Sequence, residues 1–131
     1  MRTIKFRGKT NTGVWIFGSL VCTENIQPAI YFEIGKGSLK EFDWAYVIPE
    51  TVGQFTGLKD KNGTEIYEGD ILSDGKGENG FVIWEDIIAQ FCVQVLDGIF
   101  FLNEGKPNRS TQLEYTETIG NIHDNPELLN Q

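Results

Sequence analysis

Hydrophobic and polar positions alternate along most of this chain with a period of two, the spacing of a half-buried β-strand. Thr3-Ile4-Lys5-Phe6-Arg7 alternates cleanly, and Val14 to Cys22 returns as a second strand after the turn Lys9-Thr10-Asn11-Thr12-Gly13. The pair reads as a β-hairpin with a somewhat long loop. Both faces of the second strand are apolar, which suits a central or interface strand and is compatible with a homo-oligomer. Ala29 to Phe32 is a short strand candidate. Trp44 to Ile48 is a stronger one, stopped by Pro49, and Thr51 to Phe55 adds another short piece.

The second half repeats this grammar. Asp60-Lys61-Asn62-Gly63 is a turn, because Asn62 and Gly63 accept the positive φ that a tight reversal demands. Glu65-Ile66-Tyr67 follows, and Glu68-Gly69-Asp70 breaks the run before Ile71 and Leu72. Gly75, Gly77 and Gly80 lie in a polar loop. Phe81 to Trp84, Gln90 to Leu96 and Ile99 to Leu102 read as a meander, with Asp97-Gly98 turning the last two. Residues 103–113 are polar and expected to form a loop, and Thr116 to Ile122 a final strand. Asn125, Pro126 and Glu127 match an N-cap, a first-position proline and a first-turn acid, so a short C-terminal helix carrying Leu128 and Leu129 is expected.

Composition supports a β reading. The 131 residues include 9 Phe, 4 Tyr, 3 Trp and 15 Gly; aromatics suit pleated surfaces and glycines suit turns. A chain of this length forms its core without a metal or a disulfide staple. The expectation is a single domain over residues 1–131, with an N-terminal β subdomain (1–56) and a second part (57–131), for which the small barrel is what a resemblance given below implies.

Charge excludes more than it nominates. The formal net charge of -8 argues against a non-specific binder of nucleic acid or anionic membrane. Arg2, Lys5, Arg7 and Lys9 nevertheless place four cations in the first nine residues with no acid among them. They read as the solvated face of the first strand, or as a basic strip of small footprint, and are the candidate binding residues. Cys22 and Cys92 lack any metal-ligand spacing and are expected to be free thiols of a cytoplasmic protein. The apolar run 14–22 is too short to span a membrane as a helix and is followed by no cleavage-like site.

No constellation for catalysis stands out. His123 is the one histidine, and no serine or cysteine is aimed at it by sequence. Glu68, Asp70, Glu85 and Asp86 could be imagined around a metal, but acids at strand ends are ordinarily turn residues on a solvated rim. Gly75-Lys76-Gly77 lacks phosphate-loop spacing. Trp15, Trp44, Trp84, Phe6, Phe17, Phe81 and Phe91 could stack bases, with core packing the simpler account. No cofactor is expected.

Two blocks carry a resemblance. One runs from Pro49-Glu50-Thr51-Val52-Gly53-Gln54-Phe55-Thr56-Gly57 through Asn62-Gly63 to Ile66-Tyr67-Glu68-Gly69-Asp70-Ile71; the other is Ile119-Gly120-Asn121-Ile122-His123-Asp124-Asn125-Pro126-Glu127-Leu128-Leu129. With Ile4 to Arg7 and the stretch from Val82 to Glu85, the chain resembles the YopX family of phage and prophage proteins. The resemblance implies a short phage gene product in the bacterial cytoplasm, with no reaction and no catalytic residue to carry over.

Ile66-Tyr67-Glu68-Gly69-Asp70-Ile71-Leu72 also resembles the opening corner of SH3-like barrels, so the expected fold is mainly β: an SH3-like barrel over about residues 57–124, an N-terminal hairpin subdomain and a terminal helix. A non-enzymatic domain that binds a host or phage protein is the expected function. A single-strand nucleic-acid binder and a nuclease-like hydrolase are the rivals.

Overall fold

The computed structural model describes residues 2–35, 37–95, 98–102 and 113–130. The chain divides into two compact units, Met1–Phe55 and Thr56–Gln131. Its eleven described strands form two antiparallel sheets.

In the first unit, β1 (Phe6–Lys9) and β2 (Trp15–Thr23) form the hairpin, followed by β3 (Ile26–Ile34) and β4 (Glu41–Tyr46). A 3-10 turn at Pro49–Thr51 leads into β5 (Gly53–Lys59), which pairs with β1 through Gly53 and Gln54. Strand β2 serves two neighbours in succession: residues 15–18 pair with β1, and pairing with β3 begins at Ser19. Gly18 sits at the changeover, where an added Cβ would overlap the Tyr31 carbonyl oxygen. Ile30 and Val47 are fully buried, with Ala29 and Phe55 nearly so.

Two strands are longer than expected. β3 extends from the expected 29–32 to nine residues and passes through Pro28, whose carbonyl accepts the Val47 N–H (2.9 Å). β4 starts at Glu41, not Trp44. Glu41-Phe42-Asp43-Trp44-Ala45-Tyr46 alternates polar or small with aromatic throughout, a period-two signal wholly present in the sequence.

The second unit begins with the end of β5, where Thr56 Oγ1 donates to the Ile66 carbonyl (2.8 Å). Beyond β6 (Glu65–Tyr67) come β7 (Asp70–Ser73), β8 (Asn79–Glu85), β9 (Gln90–Val95), β10 (Gly98–Phe101) and β11 (Glu117–Asn121). The six-stranded sheet has the order β4-β3-β2-β1-β5-β6 and the five-stranded sheet β10-β9-β8-β7-β11. Ile66, Leu72, Val82, Val93, Leu102 and Leu113 form the second unit's core, with Leu58, Phe91 and Val95 packed around it.

Two expectations need correction. The sheet of the second unit is open: among the described residues its edge strands β10 and β11 do not pair, so residues 57–124 form no closed SH3-like barrel. Strand spacing reveals the number of strands but not which edges meet, and β11 instead lies antiparallel to β7. The terminal segment Pro126–Asn130 is a 3-10 turn, not an α-helix. Asn125 Oδ1 accepts the Asn121 N–H (3.3 Å), and the Asn125 carbonyl accepts from Leu128 three residues on (3.1 Å). Five residues are too few to cover the cost of nucleating an α-helix. Asp97 and residues 103–112 lie outside the described residues, as therefore do most of the Asp97-Gly98 turn and of the expected 103–113 loop. Leu113–Tyr115 is a 3-10 turn with Leu113 buried.

Candidate functional site

One face of the first unit's sheet concentrates exposed aromatic rings. In antiparallel pairing, residues opposite each other share a face. Tyr31 is opposite Trp44, Ala29 opposite Tyr46, and Glu33 opposite Phe42. Tyr31 and Trp44 stack at 5.9 Å between centroids, and Trp44 meets Tyr46 edge-on at 5.1 Å. These rings would ordinarily form a core, yet Phe42 is 77% exposed, Trp44 46%, Tyr46 45% and Tyr31 40%. Lys40 pairs with Glu33 at 2.9 Å beside them, and this contact raises the lysine pKa through its hydrogen bond and charge.

Alternation along β2 continues the face. Ser19 lies opposite Tyr31, Phe17 opposite Arg7, and Trp15 opposite Lys9. Phe17 and Val21 are exposed. The basic strip meets the aromatics here. Arg7 lies 5.0 Å and Lys9 5.9 Å from the Trp15 ring, and Lys5 lies 5.2 Å from the Phe55 ring. Three of the four candidate cations are thus brought together over aromatic faces. Arg7 is only 7% exposed, which differs from a wholly solvated strip. A weakly hydrated guanidinium over an indole tolerates such burial. Arg2 is exposed and precedes β1.

Most of the other singled-out residues lie in turns and corners. Asn62 and Gly63 turn the chain between β5 and β6, but only Gly63 takes the expected positive φ, at 80°. Asn62 does not, its N–H being held by Asp60 Oδ1 in a five-residue turn that needs a single left-handed position. Asp60 organises that turn, a role its sequence position alone did not disclose. Its Oδ1 accepts the N–H groups of Asn62 (2.9 Å) and Thr64 (3.0 Å), and its Oδ2 that of Thr118 on β11 (2.8 Å). Burial pushes the Asp60 carboxyl up, but the donors from Thr118, Thr64 and Asn62 outweigh it and hold the pKa below the usual value.

Gly69 (φ 92°) and Asp70 form the β6–β7 corner, with Asp70 Oδ2 accepting the Tyr67 N–H at 2.7 Å. Asn125 and Pro126 belong to the terminal turn. His123 lies in the turn after β11, its N–H donated to Asn121 Oδ1 at 3.0 Å. Cys22 is exposed and Cys92 buried, and burial followed by the charge of Glu85 raises the Cys92 thiol pKa. A shallow cleft beside the β2–β3 turn is lined by Leu20, Cys22, Ile26, Pro28, Pro49 and Val52, among others.

The family model for YopX protein matches residues 5–130. The chain belongs to the YopX family. A solved structure of protein EF1440 from Enterococcus faecalis is similar to this YopX protein, with a TM-score of 0.61 and 27% identity over 98% of this chain and 99% of that one. A comparison with curated proteins finds no match. No helix among the described residues is long and apolar enough to cross a membrane.

Proposed function

We propose that this YopX protein is a non-enzymatic binding module of phage or prophage origin. It acts in the bacterial cytoplasm by gripping a host or phage protein with the aromatic face of its first unit. The supporting observation is the exposure of Phe42, Trp44, Tyr46 and Tyr31 on one sheet face. Tyr, Trp and Arg are the residues that most often dominate binding energy, since they offer large area at little entropic cost. A contiguous exposed aromatic patch on a folded domain ordinarily marks an interaction surface.

The test compares wild type with the double variant Phe17→Ser, Tyr31→Ser, whose circular dichroism should be unchanged. A protein captured from host lysate by wild type and lost by the variant supports the reading. An identical captured set from both proteins rules it out.

A second reading has its own observation. Residues 1–55 hold six cations and five acids, whereas residues 56–131 hold five cations and fourteen acids. The unit carrying Lys5, Arg7, Lys9 and Trp15 therefore holds the minority of the acids, and stacked rings beside cations suit single-stranded nucleic acid. Micromolar binding of a labelled oligonucleotide that falls steeply with salt would promote this reading.

A further inference from the structure

The edge of the first unit's sheet, a surface distinct from its aromatic face, presents a self-complementary strand. Among the described residues β4 pairs only with β3. Two hydrogen bonds establish which of its backbone groups point outward. The Val47 N–H is donated inward to the Pro28 carbonyl (2.9 Å), and the Trp44 N–H is donated to the side chain of its own neighbour, Asp43 Oδ1 (2.8 Å). Alternation then directs residues 43, 45 and 47 toward β3, and Phe42, Trp44 and Tyr46 toward the open side. Phe42 and Tyr46 offer N–H and C=O groups and Trp44 its C=O as a template, the Trp44 N–H being held by Asp43, and exposed edges of this kind recruit another strand.

We propose that two copies of this chain pair antiparallel through β4, about a two-fold axis at Trp44. In that register Phe42 faces Tyr46 of the second copy, Trp44 faces Trp44, and Asp43 faces Ala45. Every outward backbone group finds its complement once Asp43 releases the Trp44 N–H, and the acids of β4 meet none directly: Glu41 comes opposite Val47. The charge pattern thus fits a second copy, because the small and apolar positions of one strand fall opposite the acids of the other. The aromatic faces of the two copies join into one stripe, as they must when a strand is added in-plane. Asp43 is the guard on this edge, since its carboxylate occupies the Trp44 N–H that pairing requires.

The axis makes the test specific. A hydrogen-bonded antiparallel pair brings its Cα atoms to about 5.5 Å, within the reach of a disulfide. Sedimentation equilibrium of the full chain up to about 0.5 mM should show a monomer–dimer equilibrium for wild type. Phe42→Pro removes an outward N–H without touching the β3 ladder, so it should leave the circular dichroism intact and weaken the dimer at least tenfold. Asp43→Ala should tighten it several-fold. In a Cys22→Ser background, Trp44→Cys should yield an intermolecular disulfide under mild oxidation, while the control Ile87→Cys, at a 92% exposed position of the second unit, should not. A wild type that stays monomeric throughout, or a dimer as strong in Phe42→Pro as in wild type, overturns the proposal; the latter would mean that the aromatic faces, not the edges, meet.

Discussion

Asp60 shows how much a single carboxylate can organise. It closes the turn at Asn62-Gly63 and holds Thr118, which lies 58 residues away along the chain. Replacing it with Ala strands three partly buried donors and should cost about 1.5–3 kcal/mol in urea unfolding. Asp60→Asn keeps one acceptor and should cost less. The pH dependence follows from the lowered pKa. A carboxyl whose folded pKa lies below its unfolded one contributes its full stability above the unfolded value, about 3.9. That contribution disappears as pH falls through the lower folded value. Asp60→Asn should lack this component, so its stability relative to wild type should recover below about pH 4.

The two thiols provide a second check. Cys22 should react with a thiol reagent in the native protein, and Cys92 only after denaturation, because burial both shields it and raises its pKa.

At the scale of elements, two loops repeat one design. Thr10 Oγ1 accepts the Val14 N–H (3.1 Å) as Asp60 Oδ1 accepts that of Thr64. Gly13 and Gly63 share positive φ and donate to the carbonyls of Thr10 and Asp60. The similar spacing of Lys9–Gly13 and Lys59–Gly63 thus reflects shared hairpin chemistry. β2 depends on Gly18 in another way. Gly18→Ala would force a Cβ into the Tyr31 carbonyl, and overpacking against backbone should destabilise by about 1–3 kcal/mol or more.

The terminal turn rests beside β8, where Asn79 Nδ2 donates to the Leu128 carbonyl (2.9 Å). Leu128 and Leu129 are half-buried there. Leu128→Ala with Leu129→Ala should lower stability by about 1–3 kcal/mol with an unchanged urea m-value. A midpoint equal to wild type would show that the leucines serve another surface.

For the whole molecule, charge is divided as sharply as structure. The first unit is close to neutral and carries the aromatic face, and the second holds fourteen of the nineteen acids. With a sequence pI of about 4.6, solubility should be lowest near that pH and recover at pH 7, as turbidity across a pH series would show.

Period-two alternation, aromatic content and Asn-Gly chemistry determined by themselves that this chain is mainly β, where most strands run, and where Asn62, Gly63, Gly69 and Asp70 turn it. Those signals are local, and local backbone preferences suffice to express them. Which strands pair is a long-range matter of which apolar surfaces meet. Only the tertiary structure could place β11 against β7 in an open sheet, or Asp60 against Thr118. The same holds for the candidate surface. The alternation of Glu41 to Tyr46 was legible, but a strand pattern does not say whether its aromatic side faces a core or solvent. That depended on what packs against the sheet, and in this fold Phe42, Trp44 and Tyr46 remain uncovered.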